Sequence, residues 1–263
     1  MSINALENTS PAELASAIDN EAQIRSVDAT AAVEWLRSGW QTFRAAPSIS
    51  LLYGTLFALV CAGFSLLIMS SPGFTTAFLT GLLLVAPLIA CGLYVAARQH
   101  ASGERISITD SLVLLWSRRT NLSLFGLFLA LVMAAWVRFS SLLFAFKVNA
   151  FAPTSYSWEN FLSGSFDPVI VGFFVVIGAI LASVVFITSA VAIPMIVDRD
   201  AGPITAISAS YRAVMSNRLA MILWASIIVA LTTIGILTWF VGMIVLFPLL
   251  GYATWHSYRA LVD

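Results

Sequence analysis

Apolar residues run through this chain in long charge-free blocks separated by short basic segments. No Asp, Glu, Lys or Arg lies between Arg44 and Arg98, between Asp167 and Asp198, or between Arg218 and Arg259, and the block from Leu122 to Phe146 is interrupted only by Arg138. A helix needs roughly 20 mostly apolar residues, at about 1.5 Å each, to cross about 30 Å of hydrocarbon. The pattern predicts an all-α, polytopic transmembrane bundle of about six spans, over residues 49–69, 74–95, 122–146, 169–197, 219–234 and 236–256. Ser70-Ser71-Pro72-Gly73 marks a tight turn after the first span, since proline and glycine resist continuing a helix. The last two spans rest on a hairpin near Thr232 to Gly235. Read instead as one tilted helix, residues 219–255 would put the C-terminus on the other side.

Between the blocks the period changes. Val33, Leu36, Trp40 and Phe43 recur at spacings of three and four with Glu34, Arg37, Gln41 and Arg44 between them, which predicts an amphipathic helix lying along the bilayer from Ala31 to Ala46 and ended by Pro47. After the polar connection Gln99–Asp110, a short apolar stretch (Leu112, Val113, Leu115, Trp116) closes on Arg118-Arg119. Gly202-Pro203 opens a third such segment, with Ile204, Ile207, Tyr211 and Val214 on one face. Residues 147–168 mix Phe151, Tyr156, Trp158 and Phe161 with small polar residues, as an interfacial loop does. Residues 1–24 hold few large apolar side chains and read as a flexible cytoplasmic tail, leaving 25–263 as the membrane domain.

Composition sharpens this picture. Of 263 residues 60% are apolar and 10% charged, and the mean hydropathy is +0.93, whereas a soluble domain carries about 25% charged residues. Such a chain has too little polar surface to cover itself in water. The net charge is zero, which gives no reason to expect nucleic acid as a partner. Cys61 and Cys91 both sit inside apolar runs and are too few for a cluster or zinc site. The N-terminus lacks the basic and apolar regions of a signal peptide, so the first span is expected to act as the insertion signal. With both termini in the cytoplasm, only Arg138 and Lys147 of the 13 basic residues fall outside cytoplasmic segments; the positive-inside rule fixes that orientation.

A repeat is also visible. Gly81-Leu-Leu-Leu-Val-Ala-Pro87-Leu-Ile aligns without a gap on Gly242-Met-Ile-Val-Leu-Phe-Pro248-Leu-Leu, and each is followed by an arginine at the same distance, Arg98 and Arg259. Pro194 lies near the inner end of the fourth span. An Arg-bearing amphipathic segment precedes spans one, three and five. The architecture expected is threefold: surface helix, span, span.

The run Ile193-Pro194-Met-Ile-Val-Asp198-Arg199-Asp200, followed by Ile204-Thr205-Ala206 and Ser210, resembles a bacterial family of integral membrane proteins known as domain of unknown function 2189. So do Gly39-Trp-Gln-Thr-Phe43-Arg-Ala-Ala-Pro47 and Pro248-Leu-Leu-Gly251-Tyr-Ala-Thr254-Trp255-His256-Ser-Tyr258-Arg259. The resemblance extends over roughly residues 25 to 262. It implies a bacterial inner-membrane location, and because some members are labelled cytochrome c oxidase subunits, an accessory role in a larger respiratory complex. It implies no enzyme activity. Tyr252 stands where the family pattern has a histidine, which weakens any haem or metal site built on a histidine pair.

Candidate site residues follow from charge and position. Arg138 is a charge inside a span, placed where its long stem reaches the outer headgroups; snorkelling is preferred to a buried pair or a substrate contact. Asp198, Arg199 and Asp200, just inside the fourth span, are expected to form an ion-pair node with Arg212, Arg218 or Arg259. No second carboxylate pair or nearby histidine suggests acid–base chemistry. His256 reads as an interfacial histidine beside Trp255 and Tyr258, in preference to a haem ligand. No catalytic residue, cofactor or metal site is assigned. The expected function is a non-enzymatic scaffold or accessory subunit whose partners are the bilayer and other membrane subunits. The alternative is a carrier of a small solute or lipid with a path between the repeats, as prolines and glycines break helices in carriers.

Overall fold

A computed structural model describes residues 23–70, 90–104, 106–148 and 168–262. The helices are α1 (Ala31–Ala45), α2 (Pro47–Ser70), α3 (90–101), α4 (Ile108–Ser117), α5 (Arg119–Val148), α6 (Pro168–Ser189), α7 (Ala192–Arg199), α8 (Pro203–Ser216), α9 (Arg218–Leu237) and α10 (Met243–Leu261). The all-α class read from the pattern holds: among the described residues the only β pairing is a single antiparallel bridge between Ile24 and Val262. The expected tail up to residue 22, the turn at 71–73, the first part of the second span and most of the 147–168 loop lie outside the described residues.

Short helices meet long ones at elbows of one residue. Ala46 separates α1 from α2, Arg118 separates α4 from α5, and Asn217 separates α8 from α9. At the first elbow the chain turns by 106°. Pro47 explains it: proline at the first position of a helix is tolerated, but it cannot prolong the helix before it. Both the N–H and the hydroxyl of Ser50 then donate to the Ala46 carbonyl, at 3.0 and 2.7 Å, across the bend.

Three helical stretches among the described residues are long and apolar enough to cross a membrane, Arg119–Trp136, Val176–Arg199 (α6 and α7 taken together) and Arg218–Leu237, or four if the bent pair Ala31–Ala45 with Pro47–Gly63 counts as one. The fourth expected span, 169–197, is not one unbroken helix. It breaks at Ala190–Val191 between α6 and α7. Pro194 has no N–H to give the carbonyl of Ala190, and its ring crowds that residue. The expected hairpin near Thr232–Gly235 also moves: α9 continues to Leu237, and the turn occupies 238–242. Residues 219–255 therefore form two helices. The β-branched and apolar run through Gly235 needs no break, since a glycine alone costs a helix only about 1 kcal/mol.

The expected apolar faces of the amphipathic helices are divided between buried and exposed positions. In α1 the buried residues are Ala31, Ala32, Trp35, Gly39, Thr42 and Phe43, while Val33 and Trp40 are exposed. In α8 the buried face is Ala206, Ala209, Ser210, Ala213 and Val214, while Ile204 and Tyr211 point outward. Apolar bulk gains nothing by leaving lipid for protein, so the faces that pack are those whose small residues let backbones approach.

α10 is the central strut. It runs along both α1 and α2, and the close approach is set by glycine. A Cβ on Gly39 would lie 2.8 Å from the backbone nitrogen of Ala253, and one on Gly54 would collide with the backbone of Ile244. Phe57 of α2 stacks on Phe247 of α10 with ring centroids 3.9 Å apart. The main core gathers where the short helices join the ends of the long ones, around Trp35, Leu93, Met195, Ile196, Trp224, Tyr252, Trp255 and Tyr258. Trp35 meets Trp224 edge to face at 6.0 Å. The rest of the long helices is thinly covered: Leu124, Leu127, Leu131, Val176, Ile180, Ile222 and Val229 are exposed.

Candidate functional site: an ion-pair node at the helix ends

The end of α7 brings Asp198, Arg199 and Asp200 to the junction of several helices. Asp200 closes α7 in the left-handed conformation, φ 56°, which Asp and Asn adopt more readily than most residues. That reversal sends the Asp198 and Asp200 carboxylates to different partners.

Asp198 faces inward. Its Oδ1 pairs with Arg98 Nε of α3 at 3.1 Å, and its Oδ2 accepts a hydrogen bond from Tyr258 Oη of α10 at 2.9 Å and a longer contact from Arg259 at 3.4 Å. Arg199 Nε donates to the same Tyr258 oxygen at 2.9 Å, with its guanidinium carbon 5.9 Å from the ring centroid. Burial, then the neighbouring Asp198 charge, push the Tyr258 phenol upward, so it stays protonated and serves as a donor to the carboxylate. Charge-assisted bonds of this kind are about twice as strong as neutral ones.

Asp200 faces outward. Arg118 Nη1, on the α4–α5 elbow, reaches its Oδ2 at 2.7 Å, and Asn121 Nδ2 donates to its Oδ1 at 2.9 Å and to its carbonyl at 3.1 Å. The Asn121 bond, followed by Arg118, holds this carboxyl below its ordinary range.

Two further polar side chains repair breaks in the helices. Ser210 of α8, fully buried, donates to the Ile187 carbonyl at 2.7 Å and accepts from the Val191 N–H at 3.2 Å, supplying both ends of the α6–α7 break. Asn217, at the α8–α9 elbow, donates to the Arg25 carbonyl at 3.0 Å and accepts from the Val27 N–H at 2.8 Å. The Arg25 N–H in turn donates to the Leu261 carbonyl at 2.9 Å.

The structure thus gathers Asp198, Arg199, Asp200 and Arg259 of the expected residues into one node. Arg259 is the expected partner; Arg98, Arg118, Asn121 and Tyr258 were not anticipated. A signal for Arg98 existed, because Arg98 and Arg259 are the two arginines that follow the aligned Gly-to-Pro runs, and they converge on one carboxylate. Arg218 instead donates from Nε to the Met215 carbonyl at 3.2 Å. His256 stands apart, half-buried, with Nε2 2.9 Å from the Thr42 hydroxyl of α1. That hydroxyl has one hydrogen; when it goes to the Ser38 carbonyl, 3.2 Å away, His256 Nε2 is the donor. Tyr252, in the place of the family histidine, shares a hydrogen bond of 3.0 Å with Ser50. Among the described residues no three His, Cys, Asp or Glu side chains cluster as metal ligands. Arg138 is exposed on α5, 19 residues or about 28 Å beyond Arg119.

Compared with known proteins, residues 74–198 match the family model DUF2189, described as a predicted integral membrane protein. The matched stretch includes Ile193–Asp198; the Gly39–Pro47 and Pro248–Arg259 motifs lie outside it. No curated protein and no solved structure matches the chain. With helices apolar enough to span a bilayer, it is an integral membrane protein.

Proposed function

We propose that this DUF2189 membrane protein is a non-enzymatic scaffold or accessory subunit of a membrane complex, seated in the bacterial inner membrane with both ends of its described chain in the cytoplasm. One observation carries the reading: the charged groups at the end of α7 join helices to one another. Asp198 ties α7 to α3 and α10, and Asp200 ties it to the start of α5. A carboxylate held by two guanidiniums and a phenol that stays protonated has the form of a brace. The node would hold the short helices in register while the exposed apolar sides of α5, α6 and α9 meet lipid or partner spans. The short helices favour a seat in the headgroups: Arg119 lies over exposed Trp116, 4.9 Å from its ring centroid, beside exposed Leu112 and Val113.

Extraction of the native membrane into lipid nanodiscs, followed by mass spectrometry, tests this. The expected outcome is another membrane protein in fixed stoichiometry, respiratory oxidase subunits among the candidates. Recovery of the chain alone, together with solute or lipid flux in liposomes holding only this protein, would overturn the scaffold in favour of a carrier.

A further inference from the structure

The turn between α9 and α10 is built for a solvent other than water. Its large outward-facing side chains are apolar: Leu237, Trp239 and Val241 are 75%, 73% and 66% exposed, while Phe240 packs back toward Phe57 and Met243. No formal charge lies anywhere between Arg218 and Arg259.

Its backbone, however, asks nothing of the surroundings as a donor. α9 ends in a Schellman arrangement, with Phe240 N–H donating to the Gly235 carbonyl and Trp239 N–H to that of Ile236, each at 3.0 Å. Trp239 and Phe240 take left-handed conformations, φ 53° and 65°, at positions where glycine is usual. The Thr238 hydroxyl donates to the Gly235 carbonyl at 2.9 Å and accepts from Gly242 N–H at 3.0 Å, so its single hydrogen is committed within the turn. From Thr238 to Leu246 every backbone N–H has a partner between 2.9 and 3.2 Å. A water-facing turn has no need of this closure; irregular backbone surrounded by lipid does.

Length agrees. Asn217, at the start of α9, and Leu261, at the end of α10, are both bonded to residues 25–27. The two helices therefore leave and regain the same level. On α10 polar side chains reach down to His256, from which Met243 is 13 residues away, about 20 Å of helix. The same level on α9 lies five residues past Asn217, so that of its 20 residues about 22 Å of helix remain to Leu237. Hydrocarbon is about 30 Å thick.

We propose that the α9–α10 hairpin is re-entrant: its tip, Leu237 to Val241, ends among the acyl chains of the far leaflet instead of crossing to water. The proposal is independent of the scaffold reading, and it means that α9 and α10, each helix-length, enter and leave by one face.

The test is a nitroxide at position 241 (V241C, with Cys61 and Cys91 replaced by alanine) in the purified full chain reconstituted in liposomes. Collision rates with oxygen and with a water-soluble nickel chelate are read by power saturation. High oxygen with low nickel access is the expected result. High nickel access would place the tip in water and overturn the proposal. Low access to both would mean that a second copy of the chain covers the tip, which overturns lipid as its occupant. Hydrogen exchange on the unsubstituted chain in nanodiscs is an independent measurement: amides 238–246 remain protected for hours if the tip lies in hydrocarbon, and exchange within minutes if it faces water.

Discussion

Asp198 holds Arg98, Tyr258 and Arg259 with one carboxylate that is only 13% exposed, so removing its charge strands several partners at once. Asp198→Asn is expected to lower stability in detergent by about 1–3 kcal/mol, the cost of a lost charge-assisted bond at a half-buried site. Arg98→Ala removes one pair in which the guanidinium is 40% exposed and should cost no more than about 1 kcal/mol. Thermal or denaturant unfolding of the two variants checks the ranking; equal losses would mean that Asp198 acts through Arg98 alone. Asp200 gives a pH signature. Its folded carboxyl titrates below the unfolded value, so its contribution is full above the ordinary carboxylate range and disappears as pH falls through the folded value. Asp200→Asn should therefore lower the melting temperature slightly at pH 7 and leave it unchanged in strong acid. The charge cluster at 198–200 was legible in the sequence because charge is so rare in this chain. Its partners were not, because an arginine at a helix end can pair with any of several neighbours, and only the fold decides which are near. Ser210 was harder still: a serine in a membrane helix most often bonds its own preceding turn, and nothing local marks one that serves a different helix.

At the scale of helices, the apolar blocks predicted where most of the long helices run, and the bulky faces of the short ones are only partly covered by protein. In water a stripe such as Val33, Leu36, Trp40 and Phe43 must be buried; beside lipid it need not be, and the positions that govern packing are glycine and alanine. That contrast yields a paired experiment. Gly54→Ala puts a methyl into the backbone of Ile244 and is expected to cost several times the ordinary overpacking range of about 1–3 kcal/mol or to abolish folding. Gly63→Ala, in the same helix with nothing within 4 Å of the new Cβ, should be neutral or stabilise by up to about 1 kcal/mol. Detergent thermal shifts that fail to separate the two would contradict the packing of α2 on α10. Ser210→Ala, by leaving the Val191 N–H and Ile187 carbonyl bare, should cost about 1–3 kcal/mol and is measured in the same assay. Helix ends were the least legible feature: the α6–α7 break follows from Pro194, yet whether a proline kinks, breaks or is tolerated depends on what stands ready to satisfy the gap.

Over the whole molecule, residues near both ends meet. The Arg25–Leu261 hydrogen bond and the Ile24–Val262 bridge bring residues more than two hundred apart into register. Reporter fusions at the two ends are accordingly expected to report the same side of the membrane, the cytoplasm if the basic residues set the orientation. Opposite readings would be incompatible with that bridge. Even charge-free lengths suggested an even number of crossings, but no periodicity could reveal that residues 24–27 are pinned between Asn217 and Leu261.

The meeting of α1 with α10 has a consequence for biosynthesis. The surface of α1 that carries Trp35 and Gly39 finds its counterparts, Trp224 and Ala253, only after the ribosome has translated nearly all of the chain. Until then that surface lies unmatched at the membrane, exposed to proteases and insertion chaperones. Stop codons placed before α10 should for this reason leave products that are inserted yet rapidly degraded.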